Sequence, residues 1–183
     1  ISIPVVKTHI MTHISVSMKN FFGVTSTSDY GMGTPSRLGL HFAPGGLTQS
    51  ILAIVAALKP HFAFAEFTLC CEGNGPVVVP GIMSETVDMR ERLGSWLMLG
   101  GDDLVAVDAT ASRIIGLDPG GVPHIRAAYN QGLGQMAEHR IQIDGAELPS
   151  LQVPWRPANL ADLLAKNLFE FDPAHPPELW VRE

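Results

Sequence analysis

The sequence has few cysteines, few charges and no long apolar run, and each shortage excludes a class of protein. Only two of its 183 residues are cysteines, Cys70 and Cys71, and they are adjacent. Neighbouring cysteines rarely form a disulfide, and two thiols cannot supply a four-thiolate metal site. We therefore expect no disulfide framework. The localisation stays open, with the cytoplasm favoured because a reducing compartment suits this cysteine usage.

Basic residues are also scarce. The 12 Lys and Arg are outnumbered by 18 Asp and Glu, which gives a formal net charge of −6. A nucleic-acid backbone is bound by clustered Lys and Arg, so we expect no nucleic-acid partner. The longest apolar stretch, residues 51–58, is far shorter than the roughly 18 residues of a membrane span, so we expect no membrane partner.

The composition that remains is that of one folded domain. Hydrophobic residues make up 46% of the chain and charged residues 16%, which is typical of a globular protein with a sizeable core. We expect a single α/β domain over residues 1–183, with a proline-rich extended tail at 172–183. The chain begins at Ile1 and not at Met, inside a predicted strand, so we expect that an N-terminal portion is missing, which could carry a targeting signal.

Strand-like and helix-like segments alternate along the chain. This alternation predicts an α/β fold with a mainly parallel sheet and helices on both faces. Residues 12–22 fit a strand or a helix, and residues 23–46, rich in Gly, Ser and Pro, are predicted to be a loop. The predicted strands are residues 1–6, 62–69, 95–99 and 141–144, and the predicted helices are residues 48–58, 84–92, 104–115, 123–131 and 158–169.

In residues 4–24, polar residues are interspersed among apolar ones. This pattern predicts a strand that begins in the core and ends in a polar pocket. Lys7, His9 and Lys19 are the candidate catalytic residues, and Asn20 is a candidate ligand-binding residue. Two amines beside an amide suit an anionic ligand such as a carboxylate or a phosphate. Lys7 and His9 would serve as general acid or base if burial moved their pKa values toward neutrality.

Four further candidates are associated with two predicted elements, a strand and a helix. Glu72 and Asn74 lie in a Gly-containing turn after a predicted strand, where open α/β sheets bind ligands, although an ordinary tight turn explains them equally well. Asp103 is placed to cap the next helix, and Asp108 lies at the edge of its buried face. Asp108 is then either a structural hydrogen-bonding group or a site carboxylate. With Glu72 it could hold a divalent cation, whose identity stays open.

Four segments in order resemble the domain-of-unknown-function 362 family. Residues 4–9 (PVVKTH) are similar to its P-x-x-K-T-H run, and residues 17–23 (SMKNFFG) to its lysine–asparagine segment. Residues 72–76 (EGNGP) are similar to its E-G-x-G-P turn, and residues 103–108 (DLVAVD) to its D-P-V-A-V-D helix start. The likeness extends over about residues 4–134.

The chain departs from the family pattern at Glu66, Gly101 and Leu104, where the family has Asp, Ser and Pro. Some family members carry ferredoxin-type clusters on added cysteine motifs. This chain has no such motif, so we expect no iron–sulfur cluster bound by it, and its cofactors are unknown.

Two hypotheses follow. The first is a protein that binds a small anion or a divalent cation in a polar pocket made by the eight candidates, with an enzymatic role left open. The second, which the resemblance alone implies, is a non-enzymatic accessory module of a redox system, with residues 23–46 as its contact surface.

Overall fold

A five-stranded mixed sheet forms the centre of the molecule. The computed structural model describes residues 1–31, 37–80, 83–159 and 161. The sheet runs β2–β1–β3, and both β4 and β5 pair with the far edge of β3. Among the described strands, β1 and β3 form a parallel pair, while the other three pairs are antiparallel. The α/β class is therefore confirmed, but the prediction of a mainly parallel sheet is wrong. The strands are β1 (Val5–His9), β2 (His13–Ser15), β3 (Ala63–Gly73), β4 (Ser84–Asp88) and β5 (Leu97–Gly101).

The error has a physical origin at β3, which is longer than the predicted strand. β4 pairs with its carboxyl-terminal half, Cys71 opposite Thr86, and β5 with its amino-terminal half, Ala65 opposite Leu99. A short helix separates β4 from β5, so together they form one interrupted antiparallel edge. The charged residues 84–92 are predicted to form a surface helix, and this prediction is confirmed only for their second half, where residues 89–93 are helical. In residues 84–88, backbone pairing with β3 overrides that local preference.

Eight α-helices are described, and most are short. Among the longer ones, α7 packs against both α4 and α6, and α6 also packs against β3 and β5. The predicted helices at residues 48–58, 104–115 and 123–131 are thus confirmed. The helices are α1 (Ser17–Asn20), α2 (Thr27–Tyr30), α3 (Leu38–His41), α4 (Gly46–Leu58), α5 (Met89–Leu93), α6 (Leu104–Ile114), α7 (Pro123–Asn130) and α8 (Leu148–Leu151). Single 3-10 turns cover Phe21–Val24, Pro119–Gly121 and Glu138–Arg140.

The core lies between these helices and one face of the sheet. The burial of alternate side chains along β3 identifies the face of the sheet that contacts the core, since Ala63, Ala65 and Phe67 are fully buried. The residues between them point the other way, and Phe64 is 39% exposed. Met98 on β5 is 61% exposed. Among the described residues, no helix covers this part of the second face, in contrast to the expectation of helices on both faces.

Other segments also differ from prediction. Residues 23–46 contain α2 and α3 in their described part, and residues 141–144 form no strand. Near the amino terminus, regular pairing begins at Val5, after an isolated bridge between Ser2 and Ala63. Residues 12–22 hold a strand followed by a helix. The predicted helix at 158–169 and the tail at 172–183 lie largely or wholly outside the described residues. Within the part of the chain that is described, no helix is long and apolar enough to cross a membrane.

Candidate functional site

A tight hairpin brings the candidate basic residues together. Lys7 pairs with Ser15 and His9 with His13 across β1 and β2. The chain then turns at once into α1, which carries Lys19. As a result, residues twelve positions apart in sequence share one region at the carboxyl end of β1. His9 is buried at 4% exposure, and both lysines are partly buried.

Asp108, on α6, fixes the start of α1 through hydrogen bonds. Its side chain is fully buried on α6. One carboxylate oxygen accepts hydrogen bonds from Ser17 N at 2.8 Å and from Ser17 Oγ at 2.5 Å, and the other accepts one from Met18 N at 3.2 Å. Burial raises the pKa of Asp108 to about 7, although the hydrogen bonds from Ser17 and Met18 lower it. Of the two roles left open for this carboxylate, its contacts are those of a structural hydrogen-bonding group that positions α1.

Lys7, His9 and Lys19 form a basic cluster that no carboxylate neutralises among the described residues. Burial, and then the charge of Lys7, lowers the pKa of Lys19 to about 8. Neither Lys7 nor Lys19 forms an ion pair with any residue that the structure describes. The Lys19 Nζ atom lies 5.2 Å from the centre of the Phe22 ring. That cation–π contact favours the ammonium by only about 0.5–1 kcal/mol, and it does not offset the burial.

His9 is a hydrogen-bond donor at neutral pH and not a titrating base. Burial, followed by the charges of Lys19, His41 and Lys7, lowers its pKa to about 3. Its Nδ1 atom accepts a hydrogen bond from Met11 N at 3.1 Å. The proton of the neutral ring therefore sits on Nε2, which is a donor. The general acid–base role expected for His9 requires a pKa near neutrality, and this environment moves it away from neutrality.

Sequence reasoning missed His124, which lies beside Asp108. His124 is fully buried on α7, and its Nε2 atom is 3.9 Å from Asp108 Oδ2. Neither ring nitrogen has a hydrogen-bond partner among the described residues. Burial, and then the charge of Lys19, lowers the pKa of His124 to about 3. Both groups are neutral between about pH 3 and pH 7, so the contact is not an ion pair in that range. The spacing of His124 and Ala128 along one face of α7 could have predicted burial, but not the partner.

Glu72 and Asn74 bind another segment of the chain. Arg92 donates to both carboxylate oxygens of Glu72, at 2.7 and 3.0 Å, and Arg156 N donates at 2.8 Å. Asn159 N donates to Asn74 Oδ1 at 2.6 Å. Burial raises the pKa of Glu72, but the hydrogen bonds from Arg92 and Arg156 outweigh it and hold that pKa below its usual value. We call this set the Glu72 clamp. It fixes residues 155–159 against the end of β3.

Asp103 and Asn20 also have structural partners. Asp103 is the N-cap of α6, as predicted, and accepts from Ala106 N at 2.9 Å and from Gln135 N at 2.7 Å. It lines a surface cavity of about 350 Å³ between β5 and α6, to which Lys7 and Lys19 do not contribute. The exposed Asn20 donates from Nδ2 to Ser2 Oγ at 3.1 Å. Of the eight candidates, Lys7, His9 and Lys19 thus lie in one region of the structure. Asp108 contacts the start of α1, the helix that carries Lys19.

A metal site is not formed by the described groups. Across the described ranges, no three His, Cys, Asp or Glu side chains converge so that they could hold a metal ion. His9 and His13 are cross-strand partners and do not share a helix face. The thiols are buried, and burial raises the pKa of Cys70 to about 12 and also raises that of Cys71, so neither cysteine offers a ready thiolate.

The comparison with protein families gives a match over the first part of the chain. The family described as "Domain of unknown function (DUF362)" matches residues 1–113 of the 183-residue chain. No curated protein and no solved structure matched the chain. The matched range includes the hairpin, α1 and the Glu72 turn, as well as Asp103 and Asp108. Because it covers more than half of the sequence, the chain belongs to the DUF362 family.

Proposed function

We propose that this protein binds a small anion, a carboxylate or a phosphate, at the basic cluster of Lys7, His9 and Lys19. The observation that carries the proposal is the pair of partly buried amines without a carboxylate partner among the described residues. Burial, and then the charge of Lys7, lowers the pKa of the Lys19 amine. The shift of Lys19 from 10.5 to about 8 corresponds to a free energy on the order of 3 kcal/mol. A bound anion would relieve the part of it that comes from repulsion.

The supporting groups have complementary roles. Lys7 and Lys19 provide positive charge, and neutral His9, on which both of these charges act, carries its proton on Nε2. Asp108 sets the position of α1 through Ser17 and Met18, so it contributes to the site without facing the ligand. A cation is disfavoured here because the two ammonium groups would repel it.

The test is calorimetric titration with inorganic phosphate, sulfate and acetate at pH 7. Lys19→Met removes the charge but keeps the length of the side chain. We expect it to weaken anion binding by about 10- to 100-fold, since a charge-assisted hydrogen bond contributes about 1.5–3 kcal/mol. Lys59→Met is the matched control, because Lys59 is exposed at the end of α4. Equal losses in both variants would contradict a specific site.

The alternative, an accessory module of a redox system, stays a hypothesis that rests on the family resemblance alone. The same titration separates it from anion binding. Absence of binding of all three anions at pH 6 to 8 would remove the anion proposal and leave a protein partner as the next hypothesis to test.

A further inference from the structure

Two adjoining cavities lie between β5, α6 and residues 141–151, and the basic cluster lines neither of them. The larger has a volume of about 350 Å³ and the smaller a volume of about 80 Å³. Met98, Thr110 and Asp144 are among the residues that line both, so the cavities meet at these side chains. We call the two together the β5–α6 pocket. Its size lies in the lower part of the range of small-molecule sites, roughly 300–1,000 Å³.

The two ends of the β5–α6 pocket differ in chemistry. Ile114 and Leu151 are among the apolar residues that dominate the lining of the smaller cavity. Asp102 and Asp103 line the larger cavity, and Asp144 lies where the two meet. No Lys, Arg or His among the described residues lines either cavity. Because a cleft lined by charges of one sign attracts ligands of the opposite sign, this pocket favours a cation with an apolar part.

Thr110, where the cavities meet, carries a hydroxyl without a protein partner. The residue is only 3% exposed, and its hydroxyl forms no hydrogen bond with any residue that the structure describes. The hydroxyl nevertheless keeps contact with solvent, in contrast to the ring nitrogens of His124, which are sealed in the core. It is therefore open to the pocket that Thr110 lines. Since hydroxyls in such places usually have a hydrogen-bond partner, this one suits a donor on a ligand.

Two carboxylates of the pocket also have acceptor capacity to spare. Asp144 Oδ1 accepts a hydrogen bond from Gln142 Nε2 at 3.2 Å, which uses one of the roughly four lone-pair sites of an ionised carboxylate. The exposed Asp102 has no hydrogen-bond or ion-pair partner in the part of the chain that the structure describes. Asp103 differs, because its two oxygens already accept from Ala106 N and Gln135 N.

We propose that the β5–α6 pocket binds a primary alkylammonium ion. Its ammonium group donates hydrogen bonds to the Thr110 hydroxyl and to the Asp144 carboxylate, and its alkyl chain fills the smaller, apolar cavity beside Leu151. An ammonium has three donors and no acceptor, which matches a junction that offers acceptors and no basic side chain. This site goes beyond the proposed anion site and does not depend on it.

The experiment follows the amide NMR signals of the isotope-labelled full chain during titration with hexylammonium chloride at pH 7, where the amine is protonated. We expect saturable shifts at Thr110 and Asp144. Hexanol keeps the alkyl chain and loses the charge. It should bind about 5-fold more weakly, because charge-assisted hydrogen bonds are roughly twice as strong as neutral ones. Ethylammonium keeps the charge and lacks most of the chain, so it should bind at least ~10-fold more weakly.

Three variants separate the roles of hydroxyl, carboxylate and apolar cavity. Thr110→Val keeps the shape of the side chain and should weaken hexylammonium binding about 2- to 10-fold. It should not lower the thermal unfolding midpoint, because the hydroxyl that it removes has no partner among the described residues. Asp144→Asn should weaken binding about 2- to 5-fold, as expected for an exposed ion pair. Ala146→Phe, at an exposed position, fills the smaller cavity and should make hexylammonium bind no better than ethylammonium.

Glu91→Gln is the matched control for Asp144→Asn, because Glu91 is exposed on α5 and lines neither cavity. Equal affinities in these two variants would overturn the assignment of Asp144 to the site. Hexanol or hexanoate that binds as tightly as hexylammonium would overturn the choice of an ammonium ligand, and so would the absence of saturable shifts. Lys19→Met should leave hexylammonium binding unchanged. Failure of this site and failure of the anion site are therefore seen with different probes and different variants.

Discussion

Replacing Asp108 with asparagine should remove a pH dependence of stability that the wild-type protein carries. Asp108 is fully buried, and burial raises its pKa from 3.8 to about 7. Between these values the folded protein binds a proton at Asp108 that the unfolded chain does not. Stability therefore falls as pH rises through this window, by about 1.4 kcal/mol per pH unit, and levels off above pH 7. The full window of about three units corresponds to a loss of ~4 kcal/mol.

Asp108→Asn keeps the shape of the side chain and cannot ionise. The difference in free energy of unfolding between this variant and the wild-type protein should therefore shift by about 2–3 kcal/mol in favour of the variant between pH 5 and pH 8. The neighbouring His124 does not interfere, since with a pKa of about 3 it stays neutral in the folded state over this range.

The assay is urea unfolding followed by tryptophan fluorescence, with Trp155 as a buried reporter. Wild-type and variant are compared at each pH, so that titrations common to both cancel. A difference that does not change with pH would contradict a raised pKa. A difference that shifts in favour of the wild-type protein as pH rises would mean that the hydrogen bonds from Ser17 and Met18 outweigh the burial.

Three further predictions concern the same surroundings. Arg92→Met breaks the Glu72 clamp and should lower the free energy of unfolding by about 1–3 kcal/mol. The affinity for sulfate, measured by calorimetry, should not change. A large loss of sulfate affinity in a folded Arg92→Met variant would mean that Glu72 belongs to the anion site. Asp103→Ala removes the N-cap of α6 and should lower thermal and urea stability by about 1 kcal/mol, whereas a neutral effect would refute the capping role. Anion affinity should fall about tenfold per pH unit above pH 8, where Lys19 loses its proton; affinity that is constant to pH 10 would show that Lys19 makes no charged contact.

The helical part of the fold was predictable because its signals are local. Asp103 before an apolar-periodic run and Gly116 after it mark α6 within one residue of its bounds. The sheet was not predictable in the same way. The sequence SETVD in β4 has the charge of a surface helix, and only pairing with β3 makes it a strand. β4 and β5 both run antiparallel to β3 along one edge, and no periodic pattern in the sequence indicates that direction.

The candidate site was predictable to a similar extent. Lys7, His9 and Lys19 stood out as polar groups among apolar neighbours, and the hairpin does bring them together. Glu72 looked like a site residue because it follows a strand. Its partners, Arg92 and Arg156, are 20 and 84 positions away, and sequence spacing cannot pair groups at such separations. His124 escaped notice for the same reason.

Proton uptake on sulfate binding tests the anion site most directly. Sulfate does not titrate near neutrality, so any proton taken up or released at pH 8 is bound or lost by the protein and not by the sulfate. A bound anion stabilises the ammonium of Lys19, whose pKa is about 8, and should therefore draw in up to about half a proton per sulfate. Calorimetric titration in two buffers of different ionisation enthalpy measures this number. We predict uptake in the wild-type protein and none in Lys19→Met. Sulfate binding without proton uptake, or uptake that persists in Lys19→Met, would contradict the assignment of Lys19 to the site.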